Sequence, residues 1–290
     1  MELTGVGVWS MHLGFGDPGE ITEAAAELEE LGFSAVWIPE GGGAAFDRIG
    51  RLLSATRRMV IATGILNVWM HTPAETAAAY ARLSAGGRFL LGLGVSHAMV
   101  VDGAEPGRYR RPLAAMTTFL DGLDTAETPV PVEGRVLAAL GPKMLEVAAQ
   151  RARGVHPYLV TPEHTYRARE AVGADALVLP EQTAILCANR DEARAVATDW
   201  LQLYLSLPNY ANSLRRLGFT DDDLATTSDR LFDAVIAWGD EQAVMRRVAE
   251  HRAAGADHVA VQILTPDPLS PNSAFPRAQW RRLGAALGSE

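Results

Sequence analysis

Short apolar stretches alternate with amphipathic helical stretches along this chain, and the alternation predicts a (β/α)8 TIM barrel. Eight predicted strands and their helices fill about 260 of the 290 residues, a usual length for that architecture. A unit of helix, glycine and apolar strand recurs at Gly32, Gly173 and Gly255. Glycine ends each helix in the left-handed conformation, and the chain folds back as a strand. We expect one domain over residues 1–290, with a doubly wound open sheet as the alternative.

The first half of the chain supplies four predicted strands and the helices between them. Asp17 followed by Pro18 is typical of a helix start, because Asp caps the first amides and Pro is tolerated at the first helical position. Thr72 followed by Pro73 opens a helix in the same way. The predicted strands are Leu3–Trp9, Ala35–Pro39, Met59–Trp69 and Arg88–His97, and the later helices lie near Ala44–Ala55 and Ala74–Ala85.

The second half repeats the pattern and adds extra helices before the last strand. A loop is predicted from His97 to about Arg110, before a helix around Pro112–Leu123. The predicted strands are Arg135–Leu140, Val155–Val160, the strand-like stretches Ala176–Leu179 and Thr183–Ala188, and Val259–Leu264. The predicted helices begin at Pro142 and Pro162 and cover Asp191–Leu207, parts of Asn209–Trp238, Glu241–Ala254 and Pro276–Leu287.

Composition excludes several classes of protein. The formal net charge is −9, which argues against nucleic-acid and anionic-membrane partners, since both need a basic surface. The only cysteine, Cys187, excludes an internal disulfide, and its apolar neighbours favour a buried structural thiol. No apolar stretch reaches the roughly 20 residues of a membrane span, and no basic leader opens the sequence. We therefore expect a cytoplasmic protein.

The stretch Arg88–His97, RFLLGLGVSH, reads as a strand buried on both faces. Gly92 and Gly94 remove side chains where another group can approach the backbone closely. Ser96 and His97 then fall at the carboxyl end of the strand, where barrels bind ligands. A dinucleotide-binding fingerprint is rejected, because His97 stands where the third glycine belongs and no helix is predicted there.

Polar residues follow most predicted strands, and in a barrel they converge on one mouth. They are His12, Glu40, Asn67, His71, Ser96, His97, His156 and Gln262. Several histidines suggest a metal-dependent hydrolase as an alternative. No strand carries His-x-His, however, and carboxylates are scarce at the mouth, so we predict no metal.

Five segments together resemble the luciferase-like monooxygenase superfamily, and most closely its branch that uses the deazaflavin coenzyme F420. They are FSAVWIPE, VIATGILNVW, GRFLLGLGVSH, ALGPKMLEVA and WGDEQAVMRRVAEHRAAGADHV. The resemblance implies a luciferase-like barrel that binds coenzyme F420, or alternatively FMN, at the carboxyl ends of its strands. It implies a cis peptide between Gly64 and Ile65, and a homodimer formed through the helices near Ala44–Ala55 and Ala74–Ala85. The coenzyme-binding residues that it implies are Glu40, Gly64, Ile65, Asn67, Ser96, His97, Gly141, Pro142, Lys143, Met144 and Thr161.

Three residues are candidates for catalysis: His97, Glu40 and His12. His97 could donate to the coenzyme or act as a general acid near neutral pH, or its ring could simply bond to backbone. Glu40 could bond to the coenzyme or cap the following helix. His12 and His71 are expected on the substrate side of the pocket.

The helix that starts at Gly141-Pro142-Lys143 suits a phosphate, because its free amides and Lys143 are positive. Arg108, Arg110 and Arg111 could bind the anionic tail of F420. Among the aromatic residues, Trp69 is expected at the pocket and Trp37 in the core. His156 is interpreted as structural, near a strand start, and His164, His251 and His258 as surface or packing residues.

The expected function is F420-dependent oxidoreduction, in which a hydride passes between the deazaflavin and a small organic substrate. The alternatives are an FMN-dependent monooxygenase of the same superfamily and a flavin-binding barrel without turnover.

Overall fold

A computed structural model of the protein describes residues 3–40, 44–268 and 274–288, which form a parallel barrel surrounded by helices. The strands are β1 (Gly5–Trp9), β2 (Ala35–Ile38), β3 (Val60–Thr63), β4 (Leu66–Asn67), β5 (Phe89–Gly94), β6 (Arg135–Leu137), β7 (Gly154–Val155), β8 (Leu177–Val178), β9 (Glu181–Ile185), β10 (Ala237–Trp238) and β11 (His258–Ile263). The helices are α1 (Met11–Phe15), α2 (Pro18–Glu30), α3 (Ala45–Ala55), α4 (Pro73–Leu83), α5 (Ala98–Ala104), α6 (Pro112–Asp124), α7 (Pro142–Arg151), α8 (Pro162–Val172), α9 (Arg190–Leu205), α10 (Pro208–Arg216), α11 (Asp221–Thr226), α12 (Asp229–Val235), α13 (Glu241–Ala253) and α14 (Arg277–Leu287). Short 3₁₀ turns lie at Ser84–Gly86 and Val132–Gly134.

The barrel closes through one stretch of chain that pairs at both of its ends. β8 pairs with β7 in the register Val155–Val178, and β9 pairs with β11 in the register Glu181–Ala260. Only Leu179 and Pro180 separate β8 from β9, so these two strands occupy a single position of the barrel. β1 lies between β11 and β2. The predicted (β/α)8 barrel is confirmed, and the doubly wound alternative is wrong.

Four helices, α9 to α12, form an insertion between β9 and β10. They have a core of their own, in which Trp200, Leu214 and Phe232 are buried. Tyr158 and Leu159, which follow β7, pack against this core. The extra helices predicted before the last strand are therefore confirmed, and they lie over one side of the barrel.

The predicted strand Met59–Trp69 is two strands, β3 and β4. The peptide between Gly64 and Ile65 is cis, as the sequence resemblance implied, and it interrupts the ladder between them. Both glycines of β5 are needed here. A Cβ atom at Gly92 would lie 2.0 Å from the carbonyl oxygen of Thr63, and one at Gly94 would lie 2.6 Å from Cγ1 of Ile65. The groups that lie close to the two glycines of β5 are therefore Thr63 and Ile65 of this same chain.

Two of the predicted element limits that differ from the structure have a clear physical reason. The predicted strand Val155–Val160 stops at Val155, because Pro157 has no N–H to continue a ladder, and His156 therefore follows a strand end instead of lying near a strand start. The predicted loop after His97 contains α5, which begins directly at Ala98. Its two valines and one glycine are weak helix formers, and only Val101 of this helix is buried.

Cys187 is half-buried and lies beyond the end of β9, so the predicted buried thiol is wrong. Its sulfur lies 3.4 Å from the carbonyl oxygen of Asn189. Trp37 is fully buried in the barrel, as predicted. Ala77 and Ala79 of α4 are buried within this chain and so are not available to a contact between two copies, and the homodimer stays a prediction. No helix in the described part of the chain is both long and apolar enough to cross a membrane.

Replacing Gly92 with alanine is expected to lower the free energy of unfolding by about 3 kcal/mol or more, because the new methyl group collides with backbone that cannot move aside. Gly103→Ala is the matched control, since a Cβ atom there meets nothing within 4 Å and the residue lies in a helix. That control should be neutral or slightly stabilising. Urea unfolding followed by tryptophan fluorescence measures both, and equal stability of the two variants would contradict the prediction.

Candidate active site

A cavity of about 660 Å³ opens at the carboxyl ends of the barrel strands. Its walls come from the ends of β1, β2, β4, β5, β6 and β7, and the insertion helices α9 and α10 cover one side. A volume of this size accepts an organic cofactor or a drug-sized molecule.

The floor of the cavity is the bulge at Gly64–Ile65. The indole N–H of Trp9 donates to the carbonyl oxygen of Gly64 at 2.9 Å, which ties the bulge to β1. A Cβ atom at Gly64 would lie 2.5 Å from that indole nitrogen, so only glycine fits. Ile65 lies against the bare backbone of Gly94 and lines the cavity.

Glu40 organises the loop that follows this bulge. One carboxylate oxygen accepts from the backbone N–H of Asn67 at 2.7 Å, and the other lies 2.5 Å from Nε2 of His71. Both side chains of the Glu40–His71 pair are largely buried. Glu40 caps no helix, because the N-cap of α3 is Ala44 and it makes no side-chain cap bond. His71 does not reach the cavity but holds Glu40, which lines it together with Asn67.

Ser96 and His97 lie where β5 gives way to α5. Ser96 has a positive φ of 54°, and its carbonyl oxygen accepts from the hydroxyl of Tyr109 at 3.3 Å. Nδ1 of His97 donates to Oδ1 of Asn209 in α10 at 3.2 Å. Burial lowers the pKa of His97, although the bond to Asn209 opposes this shift, so the ring is neutral at pH 7. With Nδ1 as donor, Nε2 of His97 is a hydrogen-bond acceptor.

Unpaired positive groups collect at the start of α7. Gly141 is its N-cap and offers no side chain to the first amides, which leaves them available to an anion. Lys143 and Arg216 both line the cavity there, and Nη2 of Arg216 donates to the carbonyl oxygen of Leu140 at 3.3 Å. Neither cation forms an ion pair with a carboxylate of the described residues. Burial lowers the pKa of Arg216.

The remaining wall is aromatic, and sequence reasoning missed it. Tyr158, Tyr204 and Tyr210 line the cavity, with ring centroids 5.4 Å apart for the first pair and 5.2 Å for the second. The hydroxyl of Tyr158 donates to Oε1 of Gln262 at 2.5 Å. Burial raises the pKa of Tyr204 to about 12, and it raises the pKa values of the other two well above the usual value, so all three hydroxyls are protonated at neutral pH. Tyr158 could have been found as a residue after a strand end, whereas no pattern marked the tyrosines on α9 and α10.

His156 lies beneath the bulge, and it lines the cavity although only 1 % of it is exposed. Its Nδ1 donates to the carbonyl oxygen of Leu179 at 2.7 Å, and its ring stacks on Trp37 at 4.0 Å. Nε2 has no hydrogen-bond partner within the described chain. Burial lowers the pKa of His156 to about 4, so the ring is neutral.

Some of the predicted site residues lie outside the cavity. The ring of His12, in α1, lies 5.4 Å from the ring of Phe275, beside a much smaller pocket. Thr161 caps α8 through the N–H of His164. Arg108 pairs with Glu105, and Arg110 and Arg111 do not line the cavity. Trp9, rather than Trp69, reaches it.

A closed (β/α)8 barrel with a ligand-sized cavity at its strand ends has the architecture of an enzyme. The sequence pattern of the luciferase-like monooxygenase family matches residues 3–258. The chain belongs to this family, which is a family of oxidoreductases.

Proteins similar to this chain include some whose descriptions mention coenzyme F420 and one described in complex with FMN. A Mycobacterium tuberculosis protein is 25% identical over 314 residues, covering 84% of this chain and 90% of its own, and its name gives coenzyme F420-dependent oxidoreductase as a provisional activity. The coenzyme F420-dependent tetrahydromethanopterin reductase of Methanopyrus kandleri superposes with a TM-score of 0.75, at 17% identity and 98% coverage of both chains. The oxygenating constituent of 3,6-diketocamphane monooxygenase from Pseudomonas putida, in complex with FMN, gives a TM-score of 0.68, at 12% identity with 97% of this chain and 96% of its own covered. These structural likenesses show the fold.

Proposed function

We propose that the protein is a coenzyme F420-dependent oxidoreductase that transfers a hydride between the deazaflavin and a small organic substrate. The observation that carries the proposal is the gathering of predicted coenzyme contacts in one place. Of the eleven residues, ten line one cavity, and Thr161 alone does not. The name of the Mycobacterium tuberculosis relative supports F420 over FMN.

The residues of the cavity fit such a coenzyme. A flat ring can rest on the bulge at Gly64–Ile65, and a phosphate can bind the free amides of α7 with Lys143 and Arg216. The unpartnered cations also suit the anionic tail of F420, which extends beyond that phosphate. When bound, the coenzyme supplies or accepts the hydride.

The protein's own part is to position the coenzyme and to move a proton. Glu40 fixes Asn67 at the edge of the bulge, and Nε2 of His97 can accept from a donor on the coenzyme ring. The protonated hydroxyls of Tyr204 and Tyr210 can donate to an oxygen of the substrate that gains charge. The insertion helices that carry them cover the cavity and limit its contact with water.

Titration of the coenzyme-free protein with F420 and with FMN, followed by quenching of tryptophan fluorescence, tests the proposal. We expect F420 to bind at micromolar concentration or below, since Trp9 contacts the cavity floor and reports occupancy. Lys143→Glu should weaken that binding at least tenfold at low salt. If FMN binds while F420 causes no change, the FMN-dependent alternative replaces the proposal.

A further inference from the structure

The mouth of the cavity has two chemically different sides. Lys143, after β6, is on one side with Arg216. Met11 follows β1, which is four strand positions from β6 in the eight-position barrel, so Met11 and Lys143 face each other across the mouth. The side that holds Met11 is strongly apolar.

Five exposed apolar side chains form an apolar rim that runs from the Met11 side of the mouth to the end of β5, the strand next to β6. The rim consists of Met11, Phe15, Met70, Met99 and Val100, which are 39–58 % exposed. Seven large apolar side chains of the described residues are exposed to this extent. Five of the seven lie in the three segments that follow β1, β4 and β5. Exposed apolar patches of this kind mark binding surfaces.

The rim is continuous with the cavity. Met11, Met70 and Val100 also line it, Phe15 lies one turn from Met11 on the same face of α1, and Met99 adjoins Val100 in α5. Methionine side chains adapt to apolar ligands of varied shape. A molecule that fills the substrate half of the cavity can therefore extend outward over the rim.

Among the described residues that line the cavity, none on the Met11 side offers a charged group to a substrate. Glu40 is the one carboxylate among the described residues that line the cavity, and Asn67 and His71 already occupy its two oxygens. His97 is neutral, and the tyrosine hydroxyls are protonated. A charged substrate group placed here would lose water without gaining a partner.

We infer that the substrate is an uncharged, largely apolar molecule that is longer than the cavity and whose alkyl or alicyclic end lies on the rim. The inference rests on the proposed function for the identity of the site. What the inference adds is the charge and the length of the substrate, and coenzyme binding determines neither.

A homologous series of methyl ketones tests this inference on the coenzyme-free protein. Hexan-2-one, octan-2-one and decan-2-one are compared by calorimetry with decanoate and decylammonium, all in excess inorganic phosphate, which competes with decanoate for Lys143, Arg216 and the free amides of α7. We expect affinity to rise about threefold to fourfold per added CH₂ group, and both ions to bind at least tenfold more weakly than decan-2-one. Ions that bind as tightly as the ketone, or an affinity that does not rise with chain length, would overturn the inference.

The double variant Phe15→Ser with Met99→Ser removes rim side chains that do not line the cavity. We expect the double variant to bind decan-2-one at least fivefold more weakly and hexan-2-one with unchanged affinity. Val132→Ser replaces an exposed apolar residue elsewhere on the protein. It is the matched control and should change neither affinity. Unchanged ketone binding together with a lower mass by light scattering would instead make the rim an interface between copies of this chain and overturn the inference. The ketone titrations contain no coenzyme. A failure of F420 to bind would therefore contradict the proposed function in a separate experiment.

Discussion

At pH 5 the free energy of unfolding is expected to be about 6 kcal/mol lower than at pH 7.5. The cause is four buried histidines. Burial lowers the pKa of His156 and His164 to about 4, and it lowers the pKa of His251 and His258 to about 3. In the unfolded chain these rings take up protons below about pH 6.5, whereas in the folded protein they stay neutral. The unfolded state therefore binds more protons at pH 5, and each ring costs about 2 kcal/mol there.

Glu181 acts in the opposite direction. Burial raises its pKa to about 7, so the folded state takes up this proton first and gains about 2 kcal/mol between pH 7.5 and pH 5. Glu181→Gln should therefore make the loss of stability on acidification larger, and His164→Gln should make it smaller by about 2 kcal/mol. Urea unfolding at the two pH values measures all three proteins, and a wild-type stability that is equal at both would refute the expectation.

Replacing Glu40 with alanine is expected to weaken coenzyme binding by about 30-fold, which corresponds to about 2 kcal/mol. The change leaves the buried N–H of Asn67 without its acceptor and releases His71, so the loop at the cavity floor loses its support. Glu40→Gln keeps one acceptor for Asn67 and should have a smaller effect.

The coenzyme dissociation constant and the urea midpoint are measured together for the Glu40 variants. His71→Ala is the control, because His71 touches Glu40 but does not line the cavity. It should weaken coenzyme binding less than Glu40→Ala does. Wild-type affinity in Glu40→Ala would show that Glu40 does not position the site.

Local patterns explain why so much of the fold was predictable. Asp17-Pro18, Thr72-Pro73 and Thr161-Pro162 mark helix starts by the chemistry of two adjacent residues, and the structure places a capped helix at each. The glycines of β5 likewise mark a strand that has close neighbours on both sides. These signals act between residues that are close in sequence.

The missed features depend on residues that are distant in sequence. Tyr204, Tyr210 and Arg216 reach the cavity because the whole insertion packs back over the barrel, and no local pattern encodes that packing. The bond between His97 and Asn209 joins residues 112 positions apart. His156 was misplaced for a local reason, because the apolar run around it hid the effect of Pro157 on the strand.

The pairing of β1 with β11 has a consequence for the chain during its synthesis. β1 emerges from the ribosome before β11, and its register joins Gly5 to His258, far later in the sequence. At 5–20 residues per second, one edge of the apolar strand GVGVW stays uncovered for roughly 13–50 s. An open strand edge can pair with a neighbouring nascent chain, so crowded polysomes expose this protein to aggregation until β11 is made.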